Sequence, residues 1–161
     1  MSVIELIIFI YLYYFEHMNF QMIIQLILAT ALGTLIGLER EYKKKEAGMR
    51  TYSLVCLGST LFTIISFEII KLFSNQPGFG IDPTRIPGQI ILGVGFLGAG
   101  LIIFRGFHIE GLTTAAGLWV TAGVGIAVGA NFYSLAIFVA FLAIIILAGL
   151  RIIEEKFFNK T

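Results

Sequence analysis

Few side chains in this chain are typed and spaced for chemistry. Hydrolysis needs a nucleophile beside a base. Ser59 and Thr63 lie inside an apolar stretch, whereas the two histidines, His17 and His108, lie between stretches. Metal binding through sulfur and imidazole needs a cluster of ligands, and one cysteine, Cys56, with two distant histidines forms none. A divalent-cation path needs oxygen ligands, usually carboxylates, at membrane depth. Glu39, Glu68, Asp82 and Glu110 all sit near the ends of apolar runs, which leaves Gln25, Gln89 and hydroxyls further in. A carboxylate at the centre of a span costs about 2.5–3.5 kcal/mol, so a buried one would favour transport. Gly93-Val94-Gly95-Phe96-Leu97-Gly98 spells the dinucleotide-binding fingerprint. That motif works at a strand-to-helix turn, with an acid about 20 positions on. Here it lies inside an apolar run, and positions 113–120 hold no acid. These residues predict a protein without catalytic machinery, cofactor or metal centre.

The polar residues that remain gather at the ends of apolar runs. Glu39, Arg40, Arg50 and Thr51 flank one loop, Asp82, Arg85 and Gln89 open one run, and Thr113-Thr114 opens another. Glu39 with Arg50, and Asp82 with Arg85, read either as ordinary anchors or as parts of a small ligand or partner site. Arg85 and Gln89, four apart, share a helix face.

The elements that must position them are membrane helices. The chain has 161 residues, 58% hydrophobic and only 13% charged, with net charge +1. A soluble domain carries about 25% charged residues, so most of this chain is expected in lipid as one membrane domain. Its near-neutral balance gives no reason to expect a nucleic-acid partner. About 20 apolar residues cross a bilayer as a helix. Spans are predicted at Phe20–Leu38, Thr51–Ile70, from Ile90 to Phe104 behind the polar entry at 81–89, Thr113–Ala130 and Phe132–Leu150. Residues 1–18 form an apolar segment, open between an interfacial helix and a sixth, short membrane helix. The membrane domain is expected over 19–150, with a short amphipathic tail at 151–161. The expected fold class is an all-α, polytopic transmembrane bundle with a glycine-packed core.

Small residues let helix backbones approach closely in lipid, where packing replaces the hydrophobic driving force. Gln21, Gln25, Ala29, Gly33 and Gly37 recur every four residues in the first span, as do Thr113, Gly117, Thr121, Gly125 and Gly129 in the fourth. In the third, at about 100° per residue, Gly88, Gly95 and Ala99 share one side, and Gly93, Gly100 and Gln89 another. Gly98 lies in the same run. Two small-residue faces predict close neighbours on two sides, placing the third helix at the centre with the fourth. Ser59, Thr63 and Ser66 share a face of the second span, and Glu68 and Lys71 are spaced to pair. The fifth span is apolar all round and is expected to face lipid. With the Arg40–Arg50 loop and the C-terminus in the cytoplasm, nine of the eleven lysines and arginines lie inside and only Lys71 and Arg85 outside.

Read in order, the motifs resemble the MgtC/SapB family of bacterial membrane proteins. They are Gly37-Leu-Glu-Arg-Glu41, Ala47-Gly-Met-Arg-Thr51, Leu54-Val-Cys-Leu-Gly58, Asp82-Pro-Thr-Arg-Ile86 with Gln89, Gly93 through Gly100, and Gly111-Leu-Thr-Thr-Ala-Ala116 with Leu118-Trp119. The resemblance runs from about residue 20 to 150. It implies a multi-pass protein of the bacterial inner membrane, tied to magnesium homeostasis, low-magnesium adaptation and, in pathogens, virulence. It further implies action through membrane-protein partners, the ATP synthase among them, rather than magnesium carriage. The runner-up is a small magnesium or cation transporter, or a transporter subunit, with homo-oligomers open in either case. By carry-over, the motif positions to test are Glu39, Arg40, Arg50, Thr51, Asp82, Arg85, Gln89, Thr113, Thr114 and Trp119. Val120 stands where MgtC has a cysteine, and Thr113 where it has an asparagine. The chain stops soon after its last span, like the short SapB-like members without MgtC's soluble C-terminal domain.

Overall fold

A backbone in hydrocarbon must satisfy its own N–H and C=O groups, and a continuous helix does so within one segment. The computed structural model describes residues 20–73, 82–150 and 156, and each long apolar run there is helical. The expectations for residues 1–18 and for the tail fall outside the described residues, apart from Lys156. We number the helices α1 (Phe20–Tyr42), α2 (Met49–Phe73), α3 (Arg85–Leu101), α4 (Leu112–Gly129) and α5 (Tyr133–Ile144). The last continues as a π-helical turn, Ile145–Leu150. Four of these helices are long and apolar enough to span a membrane, and α3, with 17 residues, is shorter. The chain is an all-α membrane bundle.

The third apolar run does not stay helical to Phe104. α3 stops at Leu101, and Ile103–Arg105 (β1) pairs antiparallel with His108–Glu110 (β2). Gly106 turns this hairpin at φ +63° and Gly111 ends it at φ +84°. Both values lie in the left-handed region where a Cβ is penalised. A Cβ on Gly111 would also strike the Leu101 carbonyl, so this glycine is what lets α4 start against the end of α3. At the other end Pro87 sits in the first turn of α3, where its missing N–H costs the helix nothing.

The centre of the bundle is α4, not α3. It touches α1, α2, α3 and α5, and ten of its residues are buried, Gly117, Thr121, Gly125 and Gly129 among them. Only Val94 and Gly98 are buried on α3. The glycine-packed core therefore joins α1, α2 and α4. A Cβ on Gly33 would lie 2.7 Å from the Tyr52 carbonyl oxygen, one on Gly37 2.8 Å from Met49 Cα, and one on Gly129 2.7 Å from Thr63 Cβ. On α3 the expectation fails for all four stripe glycines. A Cβ added at Gly88, Gly93, Gly95 or Gly100 would meet no atom of the described residues within 4 Å, and one at Gly98 would meet only Ala115, at 3.5 Å. Glycine permits close approach on any face and does not choose the neighbour. α2 is chosen by hydroxyls: the Thr60 hydroxyl donates to the Gly125 carbonyl at 2.7 Å, and the Tyr52 hydroxyl to the Thr114 carbonyl at 2.9 Å. α5 lays Ala136, Ala140, Ala143 and Leu147 on the bundle and leaves Phe138, Phe141 and Ile145 exposed. It faces lipid on most sides, as its composition predicts.

Candidate functional site

Side-chain chemistry collects at the two ends of the bundle. At one end α1 runs out at Tyr42 through a Schellman turn. The Lys45 N–H reaches the Arg40 carbonyl, the Lys44 N–H reaches the Glu41 carbonyl (both 3.0 Å), and Lys44 adopts φ +51°. The turn carries the loop back over the bundle. Arg40 faces inward, only 3% exposed. Its guanidinium pairs with the neighbouring Glu39 carboxylate and donates to the Leu147 carbonyl at 3.3 Å. That carbonyl belongs to the π-helical turn ending α5, where a cation complements the negative end of the helix dipole. A buried charge survives in lipid only when paired and hydrogen-bonded, which is the work Glu39 and Leu147 do here. The Glu39 side chain is 11% exposed. Its second oxygen, Oε1, is buried without a hydrogen-bond partner among the described residues.

Beside this pair, the Thr114 hydroxyl of α4 donates to Glu46 at 2.8 Å. The Glu46 carboxyl is held below the usual glutamate range, first by a backbone N–H, its own, and then by that hydroxyl. Arg40, Lys44, Lys45, Glu46, Thr113 and Thr114 line one cavity of about 660 Å³, walled on another side by Ile146, Leu147 and Leu150.

At the opposite end α1 supplies a second cap. The Gln25 amide, buried, donates to the Val128 and Gly129 carbonyls (2.8 and 3.1 Å) and to Asn131 Oδ1 at 3.1 Å. α4 ends there in another Schellman turn: Phe132 N–H to the Ala127 carbonyl at 2.8 Å, Asn131 N–H to Val128 at 3.1 Å, and Asn131 at φ +67°. Gln21 and Tyr133 complete the cluster on Asn131 Oδ1, each at 2.7 Å. Glu68 and Lys71 pair nearby at 2.6 Å, as their spacing predicts.

The motif positions singled out from the sequence are dispersed over the bundle. Glu39, Arg40, Thr113 and Thr114 come to the Arg40 end. Arg50 is exposed, and Glu39 takes Arg40 as its partner instead. Thr51 and Gln89 line a separate, apolar groove of about 680 Å³ between α2 and α3. Asp82 and Arg85 are exposed at the start of α3. The Asp82 carboxylate takes both the hydroxyl and the N–H of Thr84 (2.7 and 2.8 Å), contacts that, with Arg85, hold it below the usual aspartate range. Trp119 is 53% exposed on the flank of α4. Sequence reasoning missed Tyr52, Thr60, Lys44, Lys45 and Glu46, and placed Gln25 in a packing stripe and among the few polar groups at membrane depth, not as a cap. The recurrence of Gln25 in an apolar stripe was the one usable signal for a buried cap.

Residues 26–156 match a family model described as the MgtC family. Among curated relatives, YhiD of Escherichia coli (strain K12) is 40% identical over 143 residues, which is 89% of this chain and 66% of that protein. SapB of Bacillus subtilis (strain 168) is 44% identical over 112 residues, 69% of this chain and 48% of SapB. MgtC of Brucella abortus (strain 2308) is 43% identical over 106 residues, 66% of this chain and 41% of MgtC. The chain thus spans between two fifths and just under two thirds of these relatives' lengths. No solved structure matches this one.

Proposed function

The chain belongs to the MgtC family, and from that premise we propose that it is a non-enzymatic regulatory or interaction protein of the bacterial inner membrane, linked to magnesium homeostasis. The observation that carries this reading is the closeness of the core. α1, α2 and α4 meet backbone to side chain at Gly33, Gly117 and Gly129, where even a methyl group would lie 2.7 Å or less from a neighbouring atom. Such contact leaves no bore for a hydrated cation through the three central helices. The carboxylates among the described residues lie at helix ends and in loops. With the Arg40–Arg50 loop in the cytoplasm, the positive-inside rule is met, and the cavity beside Arg40 faces the cell interior. Partners are membrane proteins that engage exposed flanks of the bundle.

A second reading has its own observation. The buried, unpartnered oxygen of Glu39 is a ligand atom for a cation, and YhiD carries a name that assigns it, provisionally, to magnesium transport. Magnesium entry into proteoliposomes holding the purified chain, followed with an internal magnesium-sensitive dye under an imposed gradient and potential, separates the two. The interaction reading expects no protein-dependent entry. Entry that is lost in Glu39→Gln would replace it with transport.

A further inference from the structure

The cavity beside Arg40 has three kinds of wall. Three cationic residues of one short stretch, Arg40, Lys44 and Lys45, line it together. Arg40 is fixed in place by Glu39 and Leu147, so Lys44 and Lys45 carry the charge left to offer. The first turn of α4, from Leu112 to Thr114, forms a second wall. Gly111 caps this 18-residue helix without a side-chain hydrogen bond, so its first N–H groups add to the positive potential. The third wall is apolar: Ile146 and Leu150 of the π-helical turn are half-exposed on the outer face of the bundle, as is Leu112. Of the two carboxylates on the lining, Glu46 is turned toward the Thr114 hydroxyl, a neutral donor that leaves its charge in place, and Glu110 is engaged within the protein, so an anion is directed to the Lys44–Lys45 side.

A cavity that is cationic on one side and opens along apolar residues on another fits an anion with a hydrocarbon stem. Its volume, about 660 Å³, lies within the range of small-molecule sites. We propose that this cavity binds a phosphate group, that of a glycerophospholipid, with the phosphodiester held between Lys44, Lys45 and the start of α4. The acyl stem leaves along Leu112, Ile146 and Leu150. The two lysines attract the phosphate as mobile point charges, while Arg40 stays with its internal partners. A soluble phosphate would use the same cations and helix start but gain nothing from the apolar wall.

The test uses the full chain, delipidated in detergent and examined by native mass spectrometry. It is titrated in turn with phosphatidylglycerol, with diacylglycerol of the same acyl chains, and with inorganic phosphate. Lys44→Gln with Lys45→Gln removes the free charge without touching the buried pair. Lys43→Gln is the control, because Lys43 lies over the Tyr42 ring (5.5 Å to its centroid) and is not part of the lining. Phosphatidylglycerol is expected to bind at least tenfold more tightly than diacylglycerol, and the double variant to weaken it at least fivefold while the Lys43 variant does not. Phosphate binding that is lost in the double variant, without preferential lipid binding, keeps the anion site and assigns it to a soluble ligand. Equal binding of phosphatidylglycerol and diacylglycerol with no phosphate binding, or equal losses in the control and the double variant, overturns the proposal.

Discussion

The two flanks of α4 are both rich in small residues, yet they meet their neighbours differently. Toward α2, Gly117, Gly125 and Gly129 admit Tyr52, Cys56, Ser59 and Thr63 to contact so close that no Cβ fits. Toward α3, the one contact of a glycine within either helix, among the described residues, is Gly98 on Ala115, at ordinary van der Waals distance. The difference lies in what accompanies the glycines. α2 brings hydroxyls that reach α4 carbonyls, and α3 brings Ile90, Val94 and Leu101. Thr63 and Thr121 spend their hydroxyls on their own helices, at Ser59 and Gly117, whereas Thr60 reaches across to Gly125. In lipid, glycine removes an obstacle, and a donor facing a carbonyl selects which helix takes the space.

The sharpest way to break this contrast is to fill a glycine on the α2 flank. Gly125→Leu should abolish folded protein, and Gly125→Ala should lower stability by about 1–3 kcal/mol, read as detergent-solubilised thermal unfolding by circular dichroism. If Gly125→Ala melts like the native chain, the close contact with Cys56 and Ser59 is not what holds the flank together. Next in size is Gly111→Ala. The left-handed conformation alone costs about 1–2 kcal/mol, and the added methyl meets the Leu101 carbonyl, so α3 should detach from α4 first. Protease accessibility of the 102–111 hairpin would report this. On the α3 flank the sign reverses: Gly95→Ala should raise stability by up to about 1 kcal/mol, because alanine is the better helix former and nothing among the described residues stands in its way. A loss there would mean that the exposed face has a neighbour in the assembled protein.

Smaller still is Thr60→Val, expected to cost about 0.6 kcal/mol, the average for hydrogen bonds between membrane helices. The Gly125 carbonyl keeps its own helical bond. The smallest effect is a pH dependence at the Arg40 end. The Glu46 carboxyl is held low in the folded chain, so its contribution is present above the unfolded glutamate pKa and is lost as pH falls through the lowered folded value. Native protein and Glu46→Gln should therefore differ most near pH 7 and converge in acid. The group is exposed and the interaction screened, so a difference that grows toward low pH would show that Glu46 is not stabilised as an anion.

Sequence reading recovered the helices because hydrocarbon imposes length and apolarity on every segment. Phe20–Leu38 and Thr113–Ala130 fall within a few residues of α1 and α4. It erred where an apolar run changes conformation without changing character: Ile103 and Phe104 are as hydrophobic as the helix before them but belong to a strand, and only the glycines at 106 and 111 mark the turn. The centre of the bundle was misplaced for a related reason, since stripes in α3 and α4 look alike until a partner is known. At the candidate site Glu39, Arg40, Thr113 and Thr114 were legible as charges and hydroxyls at helix ends. The roles of Tyr52, Thr60 and Gln25 were not. Each bonds a main-chain carbonyl, and because every residue has one, the acceptor leaves no mark in the sequence.

The short third helix has a consequence for the membrane itself. At 1.5 Å per residue, the 17 residues of α3 span about 26 Å, while the 25 residues of α2 span about 37 Å. The charges Arg50 and Glu68 leave only 17 apolar-run residues of α2 between them, so a hydrocarbon layer near 30 Å thick meets a low wall along α3 and finds no taller one along α2. Lipids beside α3 must shorten or tilt, at a cost of fractions of a kcal/mol for each ångström of mismatch. Bilayers of different chain length will set its tilt, and neighbours with an equally short flank will be drawn to the thinned side.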